Sequence, residues 1–188
     1  MKEQFIKTYI NNLQNILDII DIDSIQRFIN ILENLAKNNK IYIIGNGGSA
    51  ATASHMVNDL GVGLKRRDIL DIDIVSLADN TAVTTAIAND IGYDNIFYVQ
   101  LTNKIKKDDI LIAISCSGNS ANILKAVQYS KNIGTTIVGL TGFDGGELKV
   151  LSDIKFHIPT KKGEYGLVED LHMIFDHIVY SYFIQKDK

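Results

Sequence analysis

The sequence predicts an α/β fold: a three-layer α-β-α sandwich on a five-stranded parallel sheet, preceded by an N-terminal helical hairpin. Three observations carry that expectation. Short apolar runs rich in β-branched residues recur five times after residue 40, segments of helical periodicity separate most of them, and two of the runs end in loops rich in glycine and hydroxyl groups. Strands and helices alternating in this way build a parallel sheet covered on both faces, with ligands gathering beyond the carboxyl ends of the strands.

The elements follow in chain order. Phe5, Ile6, Ile10, Leu13, Ile16, Leu17 and Ile20 recur at spacings of three and four, one apolar stripe on a helix over residues 5–20. Ser24 can cap a second helix to about residue 38, where Ile25, Phe28, Ile29, Leu32 and Leu35 repeat the pattern. Residues 1–39 therefore form a hairpin. Its first helix has no obvious place in a doubly wound sheet, so packing on another subunit is expected, with packing on its own domain as the plain alternative. From Ile41 the period changes, and residues 41–44, 72–77, 110–114, 136–140 and 154–158 read as strands. Helices are expected over 49–60, 81–89, 95–101, 120–133 and 165–184. No composition break or low-complexity segment divides the chain, so residues 1–188 are expected to form one domain with its α/β core over 40–188.

At 188 residues and 46% hydrophobic content, the chain has the size of one full core. Nineteen basic against 22 acidic residues give a net charge of -3, without the electrostatic excess of a nucleic-acid binder. Small molecules or proteins are the expected partners. The single cysteine, Cys116, excludes an internal disulfide, and the N-terminal stretch lacks a long apolar core, which together suggest a cytoplasmic setting. Asp, Asn or Lys interrupts every Ile-rich run before it reaches the roughly 20 residues of a bilayer span, so no membrane segment is expected.

The two loops are Gly45-Asn46-Gly47-Gly48-Ser49 and Ser115-Cys116-Ser117-Gly118-Asn119-Ser120. A helix N-terminus presents unpaired N-H groups and partial positive charge, and glycine and serine let an anion approach closely. A phosphorylated ligand is thus the leading expectation. The first loop lacks a full dinucleotide fingerprint, because no acidic partner is clear some 20 residues on, and no Gly-Lys-Ser/Thr makes it a Walker loop. Its plain alternative is a tight turn. The second loop sets three hydroxyls, Ser115, Ser117 and Ser120, around a helix start; the plain alternative, an N-cap by Asn119 or Ser120, leaves the other hydroxyls unexplained. With no histidine or basic residue beside it, Cys116 is not favoured as a nucleophile.

Beyond the loops, His55 and Asp59 share a helix face, an arrangement for a metal pair, for an oriented histidine or simply for a surface hydrogen bond. In the last helix Glu169, Asp170, His172, Asp176 and His177 interrupt an apolar segment. Asp170 and His177 share a face, while His172 and Asp176 lie elsewhere around the cylinder, so at least one of these groups should face a partner or a site. His157 lies in a strand and reads as structural.

Gly45 to Ser49 followed by His55, then Ala88-Asn89-Asp90, then Ser115 to Ser120, and finally Glu169-Asp170-x-His172-x4-His177 resemble the sugar-isomerase (SIS) domain family and, within it, the phosphoheptose isomerases. The resemblance spans nearly the whole chain. It implies an aldose-ketose isomerase that converts sedoheptulose 7-phosphate to D-glycero-D-manno-heptose 7-phosphate for surface-glycan synthesis, as a homotetramer with sites between subunits. It also implies that Ser115, Ser117 and Ser120, helped by Ser49, hold the phosphate, with Cys116 among the substrate-binding residues. Asn46, Gly47 and Gly48 would line the sugar, and Asn89 with Asp90 would reach it from a neighbouring loop. The zinc-binding and catalytic set falls on His55, Asp59, Glu169 and His177.

Two positions depart from the family's usual pattern. Asp59 stands where glutamate is common, withdrawing the carboxylate by about 1.5 Å, the length of one C-C bond. A misplacement of about 1 Å can cost on the order of 100-fold in rate. Glu169 stands where glutamine is common, so it can compensate as ligand or base. On this expectation Asp59 or Glu169 takes the proton beside the carbonyl, His177 returns or relays one, and zinc polarises the carbonyl. The rivals are an isomerase of another phosphosugar and a non-catalytic phosphosugar sensor or adaptor, which would have no need of both histidines and both carboxylates.

Overall fold

The computed structural model describes residues 1–186. Five parallel strands, β1 (Lys40–Gly45), β2 (Asp73–Ser76), β3 (Ile110–Ser115), β4 (Thr136–Phe143) and β5 (Ile154–Pro159), lie in the order β2-β1-β3-β4-β5. Every residue of β3 is buried, as a central strand covered on both faces requires. The helices are α1 (Lys2–Leu17), α2 (Ile22–Glu33), α3 (Gly48–Met56), α4 (Thr81–Ile91), α5 (Tyr98–Leu101), α6 (Ala121–Ile133), α7 (Gly146–Leu151) and α8 (Tyr165–Lys186). One face of the sheet packs Phe28, Met56, Phe156 and Phe175 with α2, α3 and α8; the other packs Phe97, Ile123, Val127 and Leu148 with α5, α6 and α7. This is the three-layer sandwich that the sequence predicts.

From β1 the chain moves to β2 on one side and then to β3 on the other, so the strand order reverses between β1 and β3. Such a switch point leaves a crevice at the carboxyl ends of the two strands. Gly45 pairs with Ile114 at that end, so both loops leave the sheet side by side.

Several boundaries differ from expectation for local reasons. Asp21, not Ser24, is the N-cap of α2: its carboxylate accepts the Ser24 N-H at 3.3 Å, leaving Ser24 in the first turn. That helix ends at Glu33, and residues 36–39 form a turn. The helix expected over 49–60 stays α-helical only to Met56 and continues as a π-helix over Val57–Gly63. Asn89 and Asp90 lie in the last turn of α4, which runs on to Ile91 before Gly92 breaks it at φ 96°. Only six residues long, α7 is too short to show a period in sequence.

The apolar stripe of α1 divides in two. Leu13, Ile16 and Leu17 pack against the core, whereas Phe5, Ile6 and Ile10 are 69%, 56% and 48% exposed. Tyr9 ties the helix down by donating its hydroxyl to Asp170 at 2.6 Å, and that bond pushes the Tyr9 phenol up to about 12. Among the described residues no helix is long and apolar enough to cross a membrane.

Candidate active site

Phe175 fixes α8 on the sheet, its ring 5.3 Å from Phe28 and 4.7 Å from Phe156. Burying a side chain of that size contributes about 1.5–3 kcal/mol. With the helix so held, Glu169 projects over the first loop. A Cβ on Gly48, the first residue of α3, would fall on the Glu169 carboxylate, so the close approach of loop and acid needs glycine there.

The second loop folds on itself. Ser115 Oγ accepts the Gly118 N-H at 3.2 Å and lies 3.3 Å from Ser120 Oγ, while Ser117 Oγ accepts the Asn119 N-H at 3.2 Å. Gly118 permits the turn at φ 64°, and a side chain there would strike the Gly145 carbonyl. Ser120 occupies the N-cap position of α6 yet makes no capping bond. Asn119 does not cap α6 either, for its Oδ1 accepts the Glu147 N-H at 3.1 Å and its Nδ2 donates to the Ser117 carbonyl. The N-cap alternative is therefore not how this loop is used.

A cavity of about 190 Å³ joins the loops and α8. Asn46 and Ser49 line it from the first loop, Ser115, Cys116, Ser117 and Ser120 from the second, and Tyr165 and Glu169 from α8. Burial, with the charge of Glu169 adding to it, pushes the Cys116 thiol up to about 11, so it is a neutral wall at physiological pH. Asn46 exchanges amide hydrogen bonds with Asn122, at 3.0 and 2.9 Å, and its Oδ1 also accepts the Tyr93 hydroxyl at 2.9 Å. Those bonds join the first loop to α6; nothing in the sequence spacing linked Tyr93 or Asn122 to the site. Asn89 and Asp90 do not line this cavity within one chain: both are exposed and hydrogen-bonded to each other at 2.9 Å.

A second polar centre lies between α3 and α8. His55 Nε2 is 3.1 Å from His177 Nε2, 3.5 Å from Asp59 Oδ2 and 3.9 Å from Asp176 Oδ2. One ligand atom from each of the four residues lies within 4.8 Å of the others. His55 comes from the last turn of α3 and Asp59 from the π-helix, a rare geometry that recurs at functional sites. The two facing imidazole nitrogens can share one proton, or both can be acceptors toward a cation.

Asp176 is fully buried, and neither carboxylate oxygen has a hydrogen-bond partner. Burial, and secondarily the charge of Asp59, pushes its carboxyl up to about 7. An orphaned buried carboxylate facing two imidazoles and a second carboxylate fits a divalent cation, and the nitrogen and oxygen donors suit zinc.

Of the four expected metal ligands, three come together and Glu169 does not. Eight residues of α8 separate it from His177, about 12 Å along the axis, and its carboxylate lies against Gly48 instead. Asp176 stands in the cluster in its place. The sequence signal was its position off the solvent-facing stripe of α8. His172 and His157 are structural: His172 Nε2 lies 3.3 Å from the Thr141 carbonyl oxygen, burial pushes its imidazole down to about 4, and His157 Nδ1 is 3.0 Å from the Thr141 hydroxyl.

Known proteins share this arrangement of strands and helices. Residues 8–142 match the family model of the SIS domain. A phosphoheptose isomerase of Aliarcobacter butzleri is 34% identical over 182 residues, covering 95% of each chain. One from Helicobacter pylori is 38% identical over 149 residues, 79% of this chain and 76% of its own. Among solved structures, the phosphoheptose isomerase of Neisseria gonorrhoeae aligns with a TM-score of 0.85 at 25% identity, over 98% of this chain and 100% of that one.

Proposed function

Because the chain belongs to the SIS domain family and stands among the phosphoheptose isomerases, we propose that it converts sedoheptulose 7-phosphate to D-glycero-D-manno-heptose 7-phosphate through an enediol(ate). The observation that carries this reading is one cavity lined by both the serine loop and the Glu169 carboxylate. A phosphate cup and a proton acceptor then serve the same bound molecule.

In this reading Ser115, Ser117 and Ser120 donate hydroxyl hydrogen bonds to the phosphate, helped by Ser49 and the N-terminus of α6. Gly47 and Gly48 let the sugar lie close to the backbone, and Asn46, locked by Asn122, forms a fixed wall. Glu169 removes the proton from C1 and returns it to C2. It is better suited than Asp59, which is buried, accepts the Asn58 amide at 2.8 Å and faces His55. The exposed His177 carries the hydroxyl proton between O1 and O2 from the Nδ1 side of its ring, since Nε2 faces His55, which requires C1 and C2 to lie between it and Glu169, beyond the lining of the serine cavity. His55, Asp59 and His177 would hold a zinc ion. When bound, such an ion supplies Lewis-acid polarisation of the sugar carbonyl.

Most ligand sites enclose about 300–1,000 Å³, so a cavity of about 190 Å³ calls for further walls. A homotetramer with sites between subunits would supply them, and the exposed Phe5, Ile6 and Ile10 of α1 and the exposed Asn89 and Asp90 are the surfaces such contacts would use. The proposal includes action in the cytoplasm and a product destined for capsule or lipopolysaccharide heptose.

The test is incubation of purified protein with phosphorylated ketoses of five, six and seven carbons, following aldose formation with and without a chelator. Turnover of the seven-carbon substrate ahead of the others is expected. Turnover of a shorter ketose alone would move the assignment to another sugar, and binding without turnover of any would make the chain a sensor.

A further inference from the structure

We propose that Asp176 is a metal ligand in this chain, completing a set of two histidines and two carboxylates with His55, Asp59 and His177. The inference rests on the cation site proposed above and assigns to Asp176 the position that the sequence resemblance gives to Glu169.

Three observations lead to it. Asp176 is fully buried beside Phe175, whose ring is packed into the aromatic core. Neither of its oxygens finds a hydrogen-bond donor, whereas Asp109, a buried acid just before β3, accepts the Lys40 and Lys106 N-H groups at 2.9 and 2.8 Å. A buried acid kept for structure is hydrogen-bonded in the manner of Asp109; one left without donors is expensive unless a cation meets it. Finally, Asp176 faces groups that a cation would also need, with its Oδ2 3.9 Å from His55 Nε2 and all four ligand atoms within 4.8 Å.

Charge supports the same assignment. Two carboxylates balance one divalent cation, so the occupied cluster is neutral in a poorly solvated place, while the empty one sets Asp59 against Asp176. Glu169, seven residues earlier and about 10.5 Å along α8, stays outside the set and remains free to act on the sugar. The two acids of α8 thereby divide the work: Asp176 binds the ion, and Glu169 handles the substrate proton.

The experiment is zinc binding to chelator-stripped protein, read by competition with a chromophoric chelator, together with the visible spectrum of the cobalt(II) form. Wild type is expected to bind one ion per chain. Asp176→Asn should weaken zinc by about 100-fold or more and alter the cobalt bands, with Asp176→Glu recovering part of the loss, while Glu169→Gln stays within about threefold of wild type. Metal-free Asp176→Asn should melt no lower than metal-free wild type, because an unpaired buried charge has gone, and zinc should raise the midpoint of wild type far more than that of the variant. If wild type binds neither zinc nor cobalt, the cation site itself fails. If wild type binds and Asp176→Asn binds equally well, the site stands and the assignment of Asp176 is overturned. Anomalous diffraction from zinc-soaked wild-type crystals decides without any variant: an ion bonded to Asp176 is expected, and one bonded to Glu169 with Asp176 left out overturns the inference.

Discussion

The serine loop after β3 and the cluster between α3 and α8 are assembled on opposite plans. In the loop, the hydroxyls of Ser115, Ser117 and Ser120 bond to one another and to the backbone within a few residues, while the Cys116 and Gly118 carbonyls and the Asn119 amide tie the loop to the end of β4 and the chain after it, so its groups are satisfied and held. In the cluster, His55 and His177 are 122 residues apart in sequence, and Asp176 has no hydrogen-bond partner. A cup of satisfied groups can wait for an anion with little rearrangement. A set of acceptors facing one another stores electrostatic cost that a cation relieves. The difference teaches where each region's chemistry resides: preorganisation in the loop, unmet charge in the cluster.

Substitutions can sharpen or break that contrast. The largest effect is expected from Glu169→Gln, which should lower kcat by about 100-fold or more with little change in KM, because a positioned base is removed and binding groups stay. Unchanged turnover would return the base to Asp59. Next, Ser117→Ala should raise KM for the phosphorylated ketose about tenfold and leave the unphosphorylated sugar unaffected, since a hydrogen bond to a charged group contributes about 1.5–3 kcal/mol. Equal effects on both sugars would take the phosphate away from this loop.

A smaller effect probes the helix that carries Glu169 and Asp176. His172 titrates at about 4 in the folded chain against 6.5 when unfolded, so the unfolded state binds more protons between those values. Stability is then full above pH 6.5 and falls as the pH drops toward 4. Urea midpoints at pH 7 and 4.5 should show wild type losing about 2–3 kcal/mol more than His172→Gln. Equal losses would mean that His172 is not the buried neutral group described. Smallest is the reactivity of Cys116: with its thiol near 11, about one part in a thousand is thiolate at pH 8, and alkylation followed by mass spectrometry should be slow until the chain is unfolded.

Much of this was legible in the chain. The apolar runs revealed all five strands: β1, β3 and β4 are buried along nearly their whole length and so need continuous hydrophobic residues, while the edge strands β2 and β5 are only partly buried and were marked by their β-branched residues. Elements whose cause is not periodic were harder to read. The short α7 has fewer than two helical turns, the α-to-π transition after Met56 leaves hydrophobic spacing nearly unchanged, and Ser24 reads as the cap in sequence because serine and aspartate both cap well. At the candidate site, the serines, Ser49 and Glu169 meet in one cavity, whereas Tyr93 and Asn122 brace its Asn46 wall from outside through hydrogen bonds made across long stretches of chain.

By itself the sequence determined the layered sheet, the two glycine- and serine-rich loops at the strand ends and the residue types of an isomerase. Each of these depends on interactions among residues close in the chain, or on a pattern that repeats along it. Only the tertiary structure decided that Asp176 and not Glu169 joins His55, Asp59 and His177, and that Glu169 meets Gly48 and the serine cavity. Both acids belong to one helix, and its rise and rotation relative to α3 separate their destinations. That placement follows from how Phe175 packs on Phe28 and Phe156, contacts between distant parts of the chain that no local spacing records.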